Sequence, residues 1–253
     1  MNTKWNTDLY DTKHNFVFEY GAGLIDILNP KPDEYILDIG CGTGALTKKI
    51  QDLGANVLGI DASQDMIAKA KQEFSDTEFL VANAADFSFP SQFDAIFSNA
   101  TLHWVLEYKE AAKCMYDALK PNGRLVIEFG GKGNVDVIVK TLRMVLTEYG
   151  YVSQSKLEQW YFPSVSEYTQ VLEAIGFEVE LAQLYKRPTL LADEQTGITD
   201  WLSMFAGNFF TGIEKEKVSA IKEEVQKLLK PVLFKDGNWY ADYKRLRIVA
   251  TKN

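Results

Sequence analysis

Cysteine and histidine are nearly absent, with two of each in 253 residues. Cys41 and Cys114 share no ligand spacing and no pairable framework. A disulfide-stapled fold is therefore excluded, a catalytic zinc is disfavoured, and no metal is expected. Long apolar runs are missing as well. No stretch approaches the roughly 20 residues that a membrane span needs, so no membrane partner is expected. Positive charge is scarce, with 27 Lys and Arg against 35 Asp and Glu and a formal net charge of -8. Nucleic-acid binders usually carry a basic face, so nucleic acid is not the expected partner. Residues 1–16 are polar and lack the apolar core of a signal peptide. A reduced, cytoplasmic setting is the default expectation. Nothing in the pattern speaks to oligomeric state.

What is present is a regular alternation in the first half. Tyr35–Ile39 reads as a buried strand, Thr43–Leu53 as a helix, Asn56–Ile60 as a strand, and Ser63–Phe74 as a helix with Ser63 as N-cap. Strands follow at Glu78–Ala82 and Phe93–Ser98, then a helix at Lys109–Leu119. The turn Pro121-Asn122-Gly123 launches a strand over Arg124–Phe129. Short apolar strands alternating with helices predict an α/β fold, a doubly wound and mostly parallel sheet. Ligands in such sheets bind beyond the carboxyl ends of the strands. The second half is less regular. It predicts helices at Val135–Tyr149, at Ser166–Ile175 with Gly176 as C-cap, and over Asp193–Lys230 in two pieces broken near Gly207-Asn208. Strands are expected at Phe177–Tyr185 and Tyr240–Thr251. The chain reads as one domain over 1–253, with an N-terminal lid segment over 1–30. Helical cap insertions at 150–165 and 190–230 would lie over the sheet's carboxyl edge.

The chemistry concentrates at strand ends. Asp38-Ile39-Gly40-Cys41-Gly42-Thr43-Gly44 joins a strand to a helix, where glycines allow close backbone approach to a ligand. Asp61 ends the next strand, about 20 residues on, where dinucleotide folds place an acid on ribose hydroxyls. A pyrophosphate site wants Gly-x-Gly-x-x-Gly. Here the third glycine comes one residue early, and Asp38 stands two residues before the first. A negative charge there suits a cationic, phosphate-free ligand.

These residues resemble the signature loop of the class I S-adenosylmethionine-dependent methyltransferases. The likeness continues through Asp61-Ala62-Ser63, Asn83-Ala84-Ala85-Asp86 and Phe93–Asn99, and covers about the first 130 residues. It implies a seven-stranded sheet with an antiparallel last strand, S-adenosyl-L-methionine as cofactor, and methyl transfer to a small molecule. It also implies a cofactor site made by Asp38, Gly40, Cys41, Gly42 and Gly44 at the methionine part and Asp61 at the ribose. Ala62, Met66, Asn83, Ala84 and Ala85 would surround the adenine, and Asn99 would stand near the methionine. Many relatives carry an acid where Asn83 stands; its amide oxygen can accept a hydrogen bond in the same place.

The stretch Asn99-Ala100-Thr101-Leu102-His103-Trp104 and the Gly130-Gly131-Lys132-Gly133-Asn134 loop resemble the subgroup containing trans-aconitate and malonyl-carrier-protein methyltransferases. That implies O-methylation of a carboxylate, which needs no base. Two readings of His103 stand: a catalytic base or substrate donor, or a packing histidine that caps the following helix. Lys132 and the loop amides could bind an anion, or the loop could be a plain connection. Tyr10, His14 and Trp104 complete the expected acceptor contacts. Lid aromatics, among them Tyr151, Trp160, Tyr161, Phe162, Trp201, Phe205, Phe209 and Phe210, divide between core and an apolar pocket. Two rivals to turnover remain: a protein that binds the cofactor without catalysis, and a nicotinamide-dependent dehydrogenase. A nucleic-acid methyltransferase is disfavoured by the lack of an Asn/Asp-Pro-Pro-aromatic motif after the fourth strand.

Overall fold

The computed structural model describes residues 23–90 and 92–253. Tyr10, His14 and most of the 1–30 lid segment lie outside the described residues. After a short helical stretch at 23–28, five strands follow: β1 (Tyr35–Ile39), β2 (Asn56–Asp61), β3 (Glu78–Val81), β4 (Phe93–Asn99) and β5 (Leu119–Gly130). Three helices connect them: α1 (Ala45–Asp52), α2 (Gln64–Glu73) and α3 (Tyr108–Ala118). The irregular half contributes α4 (Asp136–Glu148), α5 (Val152–Ser155), α6 (Val165–Ile175), β6 (Phe177–Lys186), β7 (Thr189–Leu190) and α7 (Gly197–Phe205). It closes with α8 (Lys215–Leu233), β8 (Phe234–Lys235), β9 (Asn238–Ala241) and β10 (Lys244–Lys252).

The main sheet has seven strands in the order β3-β2-β1-β4-β5-β10-β6. β10 runs antiparallel to both neighbours, and the pairs β1–β2, β1–β4, β2–β3 and β4–β5 are parallel. This is the expected doubly wound sheet with an antiparallel last strand. Alternation along β1 assigns its two faces. Ile36 joins a core with Leu24, Ile50 and Phe97, while Leu37 and Ile39 join one with Ile96, Met115 and Tyr168. A strand buried on both faces has to be apolar throughout, so the one charge in it, Asp38, is conspicuous.

Local signals set several boundaries. Ser63 caps α2 by accepting from the Met66 amide. Ser164 and Glu167 form a capping box at α6, which ends at Gly176 in the left-handed conformation. The Tyr240–Thr251 strand is divided. β9 belongs to a three-stranded sheet with β7 and β8, and β10 to the main sheet. Asp236-Gly237, both at positive φ, form the two-residue turn of the β8–β9 hairpin. Asp242 and Tyr243 make the break: the Asp242 carboxylate accepts from the Val137 amide at the start of α4, and the Tyr243 amide turns back to Ala241 O. α4, α7, α8 and β9 share a second apolar core through Leu142, Trp201, Val225 and Trp239.

β10 is pinned to β5 by charge as well as by its ladder. The pairs Val126↔Val249, Glu128↔Arg247 and Gly130↔Arg245 are in register on one face. Glu128 is fully buried. Arg187 Nη1 donates to its Oε1 at 2.7 Å and Arg247 Nη2 lies 2.7 Å from Oε2. Removing one partner of such a pair leaves buried charge unanswered. Glu128→Gln should therefore lower unfolding free energy by about 3 kcal/mol or more in urea titration. A loss below about 1 kcal/mol would mean that water already screens this cluster.

Candidate active site

A cavity of about 810 Å³ opens at the carboxyl ends of β1, β2, β3 and β4. That size suits a small organic ligand with room for a second. One end is built by the glycine loop. The Gly40 and Cys41 amides both donate to Ile60 O, at 2.7 and 3.0 Å, and the Gly42 amide donates to Asp61 Oδ2 at 3.1 Å. Gly40 has φ +74°, and any Cβ there would collide with Thr101. The loop is thus wedged between β2 and the turn after β4, with Gly42 open to the cavity. Asp61 is held from both sides, since its Oδ1 accepts from the Ser63 amide at 2.8 Å. Burial raises its pKa against those two hydrogen bonds.

Of the expected cofactor residues, Gly40, Gly42, Asp61, Ala62, Met66, Asn83 and Ala84 line the cavity. The others stand behind it. Asp38 is buried beneath the loop, where Thr47 Oγ1 donates to its Oδ2 at 2.6 Å. Burial pushes its pKa up to about 7, opposed by that hydrogen bond and reinforced by the charge of Asp61. Cys41 turns its side chain toward Ile67, Ala70 and Phe79, and burial raises its thiol. Gly44 packs against Phe79. Ala85 donates its amide to Asn83 Oδ1 at 3.0 Å, fixing that side chain. Asn99 is buried at the end of β4 and is not on the cavity wall. Asp86, Phe87 and Phe89 do line it; Asp86 lay in the recognised Asn-Ala-Ala-Asp stretch without being assigned a contact.

The other end of the cavity is aromatic. Trp104 lines it, as expected, together with Trp160, Phe162, Trp201 and Phe205. His103 lies on the 3-10 turn Leu102–Trp104, buried to 7% exposure and stacked on Phe162 with ring centroids 5.7 Å apart. The backbone clamps it: Tyr161 N–H donates to His103 O, and the Gly130 amide donates to His103 Nδ1 at 3.3 Å. An Nδ1 that accepts leaves the ring proton on Nε2. Burial, followed by the nearby charge of Arg245, lowers its pKa well below the ordinary value. The His103 ring is therefore neutral at ordinary pH, with its Nδ1 lone pair engaged by Gly130.

The loop after β5 does not bring a cation to the cavity. Lys132 is exposed, outside the lining, near Glu167. The amides of Gly131, Lys132 and Asn134 donate to Lys244 O, Pro163 O and Gly131 O, and Asp242 occupies the start of α4. These three amides are spent within the protein and not turned to an anion. The cation on the wall is instead Arg245, with Tyr243 beside it. Neither was singled out from the sequence. The signal was a charged residue, Arg245, at an inward position of an alternating strand, Lys244–Lys252.

Residues 37–127 match the family model described as a methyltransferase domain. An uncharacterized methyltransferase of Schizosaccharomyces pombe is 34% identical, with 98% of both chains aligned. Trans-aconitate 2-methyltransferase of Escherichia coli is 29% identical over 70% of this chain and 69% of its own. Among solved structures, a phosphoethanolamine N-methyltransferase 2 of Haemonchus contortus, in complex with S-adenosylhomocysteine, is similar at a TM-score of 0.59 and 18% identity. It covers 97% of this chain and 56% of that one. With its glycine loop, its strand order and a relative aligned almost end to end, the chain belongs to the class I S-adenosylmethionine-dependent methyltransferases.

Proposed function

We propose that this enzyme transfers the methyl group of S-adenosylmethionine to a carboxylate oxygen of a small-molecule acceptor. The observation that carries this reading is the state of His103. A phenol, alcohol or ammonium acceptor has to lose a proton during transfer. The titratable wall residue nearest the end of β4 is a neutral histidine whose Nδ1 is already taken by Gly130. A carboxylate arrives ionised and needs only alignment. The E. coli relative named for trans-aconitate methylation supports the same choice.

The cavity residues fit the cofactor. The loop amides that would cradle a phosphate are spent on Ile60 O and Asp61, and two carboxylates, Asp38 and Asp61, flank the loop. That combination repels a pyrophosphate and suits a ligand carrying an ammonium and a sulfonium. When bound, the cofactor supplies a methyl group on a positively charged sulfur. In this reading Gly40 and Gly42 give its methionine part close approach. Asp61 accepts from ribose hydroxyls with its remaining lone pairs, and Ala62, Met66, Asn83 and Ala84 border the adenine. Asp38, Cys41, Gly44, Ala85 and Asn99 act through the shape of that wall. His103 Nε2–H is left to donate to the acceptor.

Calorimetry with S-adenosylhomocysteine tests the cofactor half. The wild type should bind, and Asp61→Ala should weaken binding about tenfold or more, the cost of a charged hydrogen-bond acceptor. No binding at millimolar ligand would remove the enzyme reading. Asp38 holds a proton below pH of about 7, so affinity for this ammonium-bearing ligand should tighten from about pH 6 to about pH 8. Asp38→Asn should flatten that dependence.

The role of His103 separates by substitution. With acid acceptors, kcat/KM should show no inflection from this residue above about pH 6.5, because its pKa lies below that value. His103→Gln keeps a donor near Nε2 and should retain most activity. His103→Leu should lose about 10- to 100-fold, the worth of a hydrogen bond to a charged group. Equal losses of about 1,000-fold in both variants would point to a base instead.

A further inference from the structure

Three arginines converge on one carboxylate beneath the acceptor end of the cavity. Arg187 Nη1 donates to Glu128 Oε1 at 2.7 Å. Arg247 Nε and the Tyr185 hydroxyl donate to Oε2, at 2.7 and 2.6 Å. These hydrogen bonds occupy most of the carboxylate's roughly four lone-pair sites, and neither Nε nor Nη1 of the third arginine bonds to what remains. Arg245 is 3% exposed. Its Nε and Nη1 are buried with no hydrogen-bond partner among the described residues. The Tyr243 ring packs on it, 4.5 Å from the guanidinium carbon, and the Glu128 charge acts on it without a hydrogen bond to Nε or Nη1. The Tyr243 hydroxyl in turn accepts from Trp201 Nε1 at 2.8 Å.

An unpaired charge held out of water is costly. This one sits on the cavity wall, opposite Gly130 in the β5–β10 register. Gly130 lets Phe162 and Asn134 pack against the strand end there, since a Cβ would meet them within 2.7 Å. The Gly130 amide is also the group that occupies Nδ1 of His103 and leaves the ring proton on Nε2. Two donors, one charged and one neutral, thus flank the same strand end. Around them the wall is Trp104, Trp160, Phe162, Trp201 and Phe205. No other Lys or Arg lies among the described lining residues.

We propose that Arg245 is the residue that binds the acceptor's carboxylate, and that the acceptor is an acid with one carboxylate on an apolar or aromatic body. This rests on the carboxylate reading above. One acid oxygen pairs with the guanidinium. The other forms the new O–CH3 bond as the S–CH3 bond breaks, with its electron pair remaining on sulfur. No proton moves, and the acid's negative charge and the sulfonium's positive charge cancel. The ester that results can no longer pair with Arg245, which favours its release.

The test uses the full chain saturated with S-adenosylhomocysteine. Binding of benzoate, phenylacetate and octanoate is measured by calorimetry beside benzamide and the tricarboxylate tricarballylate, in wild type, Arg245→Gln and Arg245→Lys. Methyl transfer from radiolabelled cofactor to the same acids is followed in parallel. The wild type should bind at least one monocarboxylate and prefer it to the amide and the tricarboxylate. R245Q should weaken that binding by about 30-fold or more, with unchanged affinity for S-adenosylhomocysteine, and R245K should recover part of the loss. Without acid, R245Q should melt no lower than the wild type, because an unanswered buried charge has gone. Wild-type acid binding in R245Q overturns the assignment, and so does a fall in melting temperature with loss of cofactor-product binding in both variants. Preference for tricarballylate overturns the acceptor class. If the wild type methylates acids and R245Q does so with unchanged KM, this inference fails while the carboxylate reading stands. If the wild type neither binds nor methylates any acid, both fall.

Discussion

The carboxylate of Glu128 is the constraint on which both the fold and the site depend. It lies near the carboxyl end of β5, fully buried, and a buried charge must be answered from within the protein. Arg247 answers from β10 and Arg187 from the segment after β6, so one side chain ties together the three strands on one side of the sheet. The same pairing fixes the register. With Arg247 opposite Glu128, Arg245 must stand opposite Gly130, two residues nearer the carboxyl edge. A slip of one residue would turn the charged face of β10 into the apolar core that Leu246, Ile248 and Ala250 occupy. The placement of a cation at the cavity follows from the ion pairs beneath it.

How much of this was legible in the sequence depends on how local the cause is. The first five strands and their helices were readable because each carries its own period, cap or glycine. Ser63 and Gly176 are examples, each acting on its own helix end. The final strand was not read correctly. Tyr240–Thr251 alternates without interruption, yet it divides at Asp242, whose carboxylate caps a helix 105 positions away. No pattern within the strand records that partner. The Asp236-Gly237 pair carries a local turn signal, but the hairpin around it does not, because Phe234-Lys235 is too short to show a period.

The two ends of the cavity divide in the same way. The cofactor end is made from consecutive strand ends, so its residues fall into short motifs with fixed spacing. Even there, motif membership did not separate wall from support: Asp38, Cys41, Gly44 and Asn99 sit in the motifs but behind the surface. The aromatic end is assembled from the turn after β4, the 156–164 segment, α7 and β10. Its cation comes from the last of these and was invisible beside the more suggestive Lys132. That lysine had a glycine loop and a helix start to recommend it, but three of the loop amides already donate within the protein and Asp242 already takes the Val137 amide at the helix start.

An electrostatic axis runs along the cavity as a result. Two acids, Asp38 and Asp61, stand at the glycine-loop end, and one unanswered cation, Arg245, stands at the aromatic end. Under the proposed reaction a cationic methyl donor and an anionic acceptor would each be stabilised in one orientation and opposed in the other, which is selection by repulsion as well as attraction. Between them stands a histidine that burial and the neighbouring arginine keep neutral. A protonated imidazole there would compete with Arg245 for the acceptor's charge, and a free basic nitrogen would have no proton to remove. Under the proposed reaction both ligands lose their charge in the same step. The attraction that assembles the complex then disappears when the methyl group has moved.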